Sequence, residues 1–300
     1  LGGVYLHARR VNEAVALYRE VLALRERTLG HEHLATVATR GNLAAAYLRL
    51  GRPDEAVALH SAVLSVWERT LGAEHIETLA TRHGLANAYY ELGRMDEAVA
   101  LYRVVLAVQE RTLGAEHPDT LNTRHGLATA YRTLGRTGVA VALYREVLTM
   151  RERTQGTLHP STLATRHSLA IAYFDLGRAE EAVALELDVL VVREQTLGVE
   201  HPDTLNTRHN LALAYRALAL RNHELGRLGA VAALLRDVLM AQERTLGVEH
   251  PDTLNTRHSL ATTYNDLGRG DEAVALYREV LEVRERMLGA EHRQTLSTRH

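Results

Sequence analysis

The chain has 300 residues, 46% of them apolar and 24% charged, with a formal net charge of −2. That balance supplies no long-range field for nucleic acid or a membrane surface, and no stretch reaches the roughly 18 apolar residues of a membrane span. Cysteine is absent, which excludes disulfides, thiol catalysis and cysteine metal sites together. All 35 basic residues are Arg and isoleucine occurs only at Ile76 and Ile171, a bias expected of a GC-rich, bacterial genome. The start, Leu1-Gly2-Gly3-Val4-Tyr5, has no basic leader pattern, so a soluble, cytoplasmic chain is the expectation.

Along the chain a loop glycine recurs at Gly30, Gly72, Gly114, Gly156, Gly198, Gly247 and Gly289. The steps are 42 residues except for one of 49, between Gly198 and Gly247. A period of this size marks an array of supersecondary units, each completing its neighbour's apolar core. The chain therefore divides into a partial repeat over 1–30, full repeats over 31–72, 73–114, 115–156, 157–198, 199–247 and 248–289, and a partial repeat over 290–300. The first part begins inside a first helix, Leu1 to Ala8, and the last ends inside another, Arg293 to His300. Neither end carries a polar capping helix, so a segment of a longer protein is expected.

The copy from Pro118 to Gly156 shows what one unit contains. His117-Pro118-Asp119-Thr120 opens a helix, with proline suited to the first position and an acid at the positive end of the dipole. Leu121, Leu127, Ala128, Tyr131 and Leu134 then fall at helical spacing, and Gly135-Arg136 stops the helix. A second helix presents Ala140, Val141, Leu143, Tyr144, Val147, Leu148 and Met150 and ends at Arg151-Glu152-Arg153 before Gly156. The unit is a hairpin of two helices of roughly 17 residues, each about 25 Å long. Nothing alternates with period two, so strands are not expected.

The order Leu127-Ala128, Tyr131, Ala140, Tyr144 and Val147-Leu148 resembles the tetratricopeptide repeat. The period and the Leu-Gly-x-Glu-His-Pro-Asp-Thr-Leu joint are similar to the longer, kinesin-light-chain-like type that also occurs in bacterial proteins. HEAT and WD40 arrays share the period but not this residue order. The resemblance implies an all-α fold: a right-handed superhelical solenoid of antiparallel helix pairs, with first helices lining a concave groove. Arg124 and its equivalents stand where that motif has Trp, so packing there must differ.

Copies compared within the chain divide positions into two kinds. The Leu-Ala pair, the Tyr and the Gly-Arg turn repeat almost unchanged, whereas one first-helix position reads Ala45, Asn87, Thr129, Ile171, Leu213, Thr262. Three residues on come Leu48, Tyr90, Arg132, Phe174, Arg216 and Asn265. By resemblance these face the groove, as does a histidine ladder, His83, His125, His167, His209 and His258, with Gly41 in its second-copy place. Such variety fits either a selective peptide groove or drift on a solvated face, and the ladder either donates to an extended peptide or acidic segment or pairs with neighbouring Arg and Glu side chains. The joint histidines, His33, His75, His117, His159, His201, His250 and His292, are expected to satisfy open helix N–H groups.

A ladder repeated on helices about 8–10 Å apart cannot converge on one metal, and no cofactor is expected. No Gly-rich phosphate loop, nucleophile elbow or His-Glu-x-x-His occurs, and His–acid pairs recurring in every copy do not look like one active site. The 49-residue step adds seven residues near 216–224, expected to lengthen a first helix by two turns and to expose Leu218 and Leu220 as a contact patch, the alternative being a widened loop with no partner. The reading is a non-catalytic scaffold that binds a peptide or extended protein segment, as sensor or adaptor of a larger bacterial signalling or defence protein. The alternative is an architectural module, a homo-oligomer or a spacer, with no groove ligand.

Overall fold

A computed structural model describes the backbone of residues 2–299 and the side chains of 11–292 and 294–299. Leu1 and His300, at the outer ends of the expected terminal part-helices, lie outside the described residues. The described residues form α-helices and one 3-10 turn, with no strand. In chain order the first half contains α1 (Gly2–Leu29), α2 (Leu34–Arg49), α3 (Pro53–Thr70), α4 (Ile76–Glu91), α5 (Met95–Thr112), α6 (Pro118–Thr133) and α7 (Thr137–Thr154). There follow α8 (Pro160–Asp175), α9 (Ala179–Thr196), α10 (Pro202–Arg221), α11 (Leu228–Thr245), α12 (Pro251–Asp266), α13 (Gly270–Leu288) and α14 (Arg293–Arg299). Two compact units are distinguished, one of residues 5–165 and one built from residues 166–300.

Each even-numbered helix from α2 to α12 is the first of a hairpin and each odd-numbered one the second, and helices consecutive in the chain pack together within a unit. The joint histidines do what the open N–H groups demand. The ring Nδ1 of His117 accepts from Asp119 N–H at 3.2 Å, and His33, His75, His201 and His250 repeat the bond at the same distance. Second helices end at a glycine in the left-handed region: Gly156, at φ 93°, donates its N–H to Arg151 O at 3.1 Å. Between the helices of one hairpin, Gly135 (φ 76°) and Arg136 close the turn in the same way, Arg136 N–H reaching Tyr131 O at 2.9 Å.

The core of each hairpin is built from small and β-branched residues. Ala86, Ala128 and Ala212 on first helices are fully buried, as are Val105, Val147 and Val189 on second helices. Small side chains let backbones approach closely, which is why these positions tolerate so little change between copies.

Two positions tie a second helix to the next first helix, one an arginine in every copy and the other an arginine at Arg25, Arg151, Arg193 and Arg284 but Trp67, Gln109 and Gln242 elsewhere. Where the repeat motif has Trp, Arg40 pairs with Glu26 at 2.7 Å, Arg82 with Glu68 at 2.6 Å and Arg124 with Glu110. The other arginine is buried: Arg151 donates to Ser161 O at 2.7 Å, to Thr165 Oγ1 at 2.6 Å and to Asn122 Oδ1 at 2.6 Å. Arg193 makes the equivalent bonds to Asp203 O and Thr207 Oγ1. Trp67 occupies this place in the second copy, packed on Val37 and Val63.

Two expectations need correction. Residues 2–29 form one continuous helix, where a turn near residue 9 was expected. Arg9 stands there in place of the glycine found at Gly51, Gly93 and Gly135, so no residue free to adopt positive φ interrupts the helix. The seven added residues lengthen α10 to 20 residues against 16 for α6, about one turn rather than two. His223, at φ 55°, stops the helix, and a 3-10 turn over Leu225–Arg227 takes up the rest. Leu218 and Leu220 are half-buried, not exposed; the exposed leucine is Leu225, at 55%.

Candidate binding face of the first helices

Within a hairpin, a first-helix residue meets a second-helix residue fifteen positions later. Tyr102 donates its hydroxyl proton to Asn87 Oδ1, the Thr129 and Tyr144 hydroxyls lie 2.7 Å apart, and those of Thr262 and Tyr277 2.8 Å apart. Each of these tyrosines also receives a ladder histidine edge-on: His83 to Tyr102 at 5.5 Å, His125 to Tyr144 and His258 to Tyr277 at 5.2 Å. Ladder histidines reach forward as well. Nδ1 of His83 lies 3.0 Å from Thr123 Oγ1, that of His125 3.5 Å from Thr165 Oγ1, and that of His209 2.9 Å from Thr256 Oγ1.

The ladder is thus mortar between hairpins. Its partners are mostly Thr and Tyr, with an acid at His167 alone among the described bonds, and Nδ1 of His258 is buried without a hydrogen-bond partner. Burial pushes the His125 and His209 imidazoles down to about 4 and lowers those of His83 and His258. His167 is the exception in partner: it lies 2.9 Å from the Glu186 carboxylate, with Nε2 within 3.4 Å of the Asn206 and Asn210 amides. In one tautomer Nδ1–H donates to Glu186 and Nε2 is left to accept from the amides, while Glu186 Oε1 stays buried without a hydrogen-bond partner.

The first unit carries two adjoining cavities on its first-helix side. One, of about 460 Å³, lies between α2 and α4 over Trp67; the other, of about 390 Å³, lies between α2, α4 and α6 and includes Tyr90 and Thr129. They share Leu48, Arg49 and Asn87. In the second unit Phe174 lines a smaller cavity of about 160 Å³ with Ile171, Glu186 and Leu213. There Arg216 is tied to Asp266 at 2.6 Å, so it is not the open groove cation expected, while Asn265 is exposed. Arg132 is half-buried on α6.

Two residues that shape the larger cavity were missed, His60 and Trp67, whereas Ala45 in the same lining was among the variable positions. Gly41, the gap in the histidine ladder, was the available signal, because a missing ring in a repeating joint leaves space. Among the described residues no cluster of three His, Asp or Glu is placed to hold a metal, and no helix is long and apolar enough to cross a membrane.

The tetratricopeptide repeat family profile matches residues 1–63, 39–111 and 85–153, and a second tetratricopeptide profile matches 162–203 and 253–294. The chain is 38% identical to a kinesin-light-chain-type protein of Podosopora anserina with nearly identical TPR-like repeats. That alignment covers 71% of this chain and 98% of the other, with a TM-score of 0.57. BtubC (BKLC) from P. vanneervenii is 19% identical over 84% of this chain and 95% of its own, at a TM-score of 0.58. The apo form of RapI is 10% identical over 95% of both chains, at 0.70. These last two show likeness of fold alone, and no curated protein matches the chain. With hairpins of this residue order across both units, the chain belongs to the tetratricopeptide repeat family, whose members generally serve as scaffolds for protein–protein contact.

Proposed function

We propose that the chain is a non-catalytic binding scaffold that takes a peptide or extended partner segment along the first-helix face, as the sensor or adaptor part of a bacterial signalling or defence protein. One observation carries this reading: positions that differ between copies stand in the walls of the two adjoining cavities of the first unit, beside repeated ones such as Val63 and Thr81. Leu48, Asn87, Tyr90 and Thr129 belong to that variable set, whereas the alanines and valines beneath them are buried and repeat. A face built on an invariant floor with individual side chains above it suits recognition of one sequence, since rigid backbone lowers the ordering cost of binding.

The test is capture of a partner from native cell extract, with crosslinking and mass spectrometry. Asn87→Ala, Tyr90→Ala and Arg132→Ala together should lose the partner while keeping the wild-type far-UV spectrum, the melting temperature falling only by what the lost Tyr102–Asn87 hydrogen bond costs. A control pair on the exposed side of α7, Arg145→Ala with Glu146→Ala, should keep it. Equal capture by both variants would overturn the reading.

A further inference from the structure

In three hairpins a tyrosine of the second helix, buried at Tyr102 and Tyr144 and half-buried at Tyr277, has two partners on the first helix. Tyr102 has His83 and Asn87, Tyr144 has His125 and Thr129, and Tyr277 has His258 and Thr262. In the hairpin of α2 and α3 the corresponding second-helix residue is His60, and both partners are missing. Gly41 stands in place of the histidine and Ala45 in place of the Asn or Thr. His60 is 5% exposed, and neither of its ring nitrogens has a hydrogen-bond partner. The space that the missing partners would fill is the cavity of about 460 Å³.

Buried polar groups without partners are rare because they forfeit water and gain nothing. Nothing in the hairpin relieves His60. Gly84 on the facing helix only makes room, since a Cβ there would lie 2.7 Å from His60 Cε1 and Nε2. Both ring nitrogens are sealed from solvent although the residue lines the cavity, so the ring meets a complementary group there by turning toward it.

The surroundings define that group. Burial pushes the His60 imidazole down to about 4, so at neutral pH it offers one N–H donor and one lone-pair acceptor and no charge. Arg49 and Glu77 line the cavity with opposite charges, and His83 is likewise held neutral by burial, so neither an acid nor a base is favoured. Val63 and Trp67 form an apolar floor. What fits is uncharged, planar, and both donor and acceptor.

We propose that this cavity is a side-chain subsite for a carboxamide, a Gln or Asn of an extended partner segment. It stands in for the Asn or Thr and the histidine that the other hairpins supply from within. The subsite rests on the binding-face reading above and names the side chain that this part of the face selects.

The experiment uses the whole 300-residue chain, labelled with ¹⁵N, with histidine ring resonances followed during titration. The probes are the N-acetyl methylamides of glutamine, glutamate, leucine and phenylalanine. The glutamine compound should shift the His60 ring resonances saturably, with the other three at least about tenfold weaker, since a site with buried polar groups rejects analogues that leave them unpaired. The His83 ring, which lines the same cavity, should shift with glutamine in the wild type and no longer in His60→Tyr, which installs the residue found at Tyr102 and Tyr144 without lowering the melting temperature. Gly41→His, which fills the cavity from the opposite wall, should abolish the shift too; a Cβ at Gly41 meets nothing within 4 Å. Equal saturation by leucine, glutamate or phenylalanine, or no saturable shift with glutamine, overturns the subsite. If the subsite fails while the Asn87, Tyr90 and Arg132 variant still loses its partner, the binding face stands without it; if that variant also keeps its partner, both fall.

Discussion

The joints at His60 and Tyr144 share one backbone plan and differ in three side chains. At Tyr144 the set is His125, Thr129 and Tyr144, every polar atom of the pair has a neighbour, and the tyrosine is fully buried. At His60 the set is Gly41, Ala45 and His60, and the result is an open cavity beside two unpartnered nitrogens. The same helices, caps and turns therefore hold either a finished core or a vacant seat. In this array folding is carried by repeated positions, and individuality by a few side chains above them.

That contrast can be broken most forcefully by truncation. Tyr144→Ala should cost about 3–5 kcal/mol, the range for deleting a buried aromatic from a closed core. His60→Ala should cost about 1 kcal/mol or less, because it widens an existing cavity and removes two orphaned polar atoms. Equilibrium urea unfolding of both variants reads the difference; equal losses would mean the His60 joint is as closed as its sibling.

Acid provides the next largest effect. His60, His125 and His209 are held neutral down to about 4 in the folded chain, against an ordinary value of 6.5. Between those values the unfolded chain binds more protons, so stability is complete above about pH 6.5 and falls as pH drops toward 4. Each ring contributes on the order of 3 kcal/mol at most. Unfolding free energies measured across that window should decline, and His60→Tyr should flatten the decline by one ring's share. An unchanged slope in that variant would show that His60 is not held neutral.

Smaller again is the buried arginine that stitches α7 to the chain beyond it. Arg151→Met keeps the volume and removes the bonds to Ser161 O, Thr165 Oγ1 and Asn122 Oδ1. The loss should be about 2 kcal/mol, since Ser161 O and Thr165 Oγ1 keep their bond to each other but lose the guanidinium, and Asn122 Oδ1 loses its partner. Trp67 holds the equivalent position in the open joint without such bonds, so Trp67→Met should leave hydrogen-exchange protection of the following helix start unaltered, whereas Arg151→Met should weaken it.

The smallest effect sharpens the comparison most finely. Ala45→Thr combined with His60→Tyr rebuilds the hydroxyl pair of Thr129 and Tyr144 in the open joint. The double variant should gain about 1 kcal/mol beyond the sum of the single changes, as a coupling energy in a double-mutant cycle. Zero coupling would separate the joint geometry at His60 from that at Tyr144.

How much of this was legible beforehand follows from what each residue depends on. His117, Pro118, Gly135 and Gly156 act through local backbone, so the helix boundaries and caps could be read directly from them. The added segment was only half legible. Seven extra residues suggested two turns of helix, but Asn222-His223 takes the place of the Leu-Gly stop seen at Leu176-Gly177. A histidine in the left-handed region is uncommon enough that no local pattern announced it. The ladder histidines were found, yet their surroundings were not. Their burial depends on Thr123, Thr165 and Thr256, about forty or more residues away in the next hairpin. His60 escaped because its meaning lies in a pair, Ala45 with His60, on two helices, whereas variation was followed along one helix face.

The binding face is tested most directly by hydrogen exchange on the captured partner complex. Residues 41–49, 83–91 and 125–133, the C-terminal halves of α2, α4 and α6, should gain protection on binding, with the exposed side of α3, α5 and α7 unchanged. Protection confined to the second helices, or none on the first, would contradict the account.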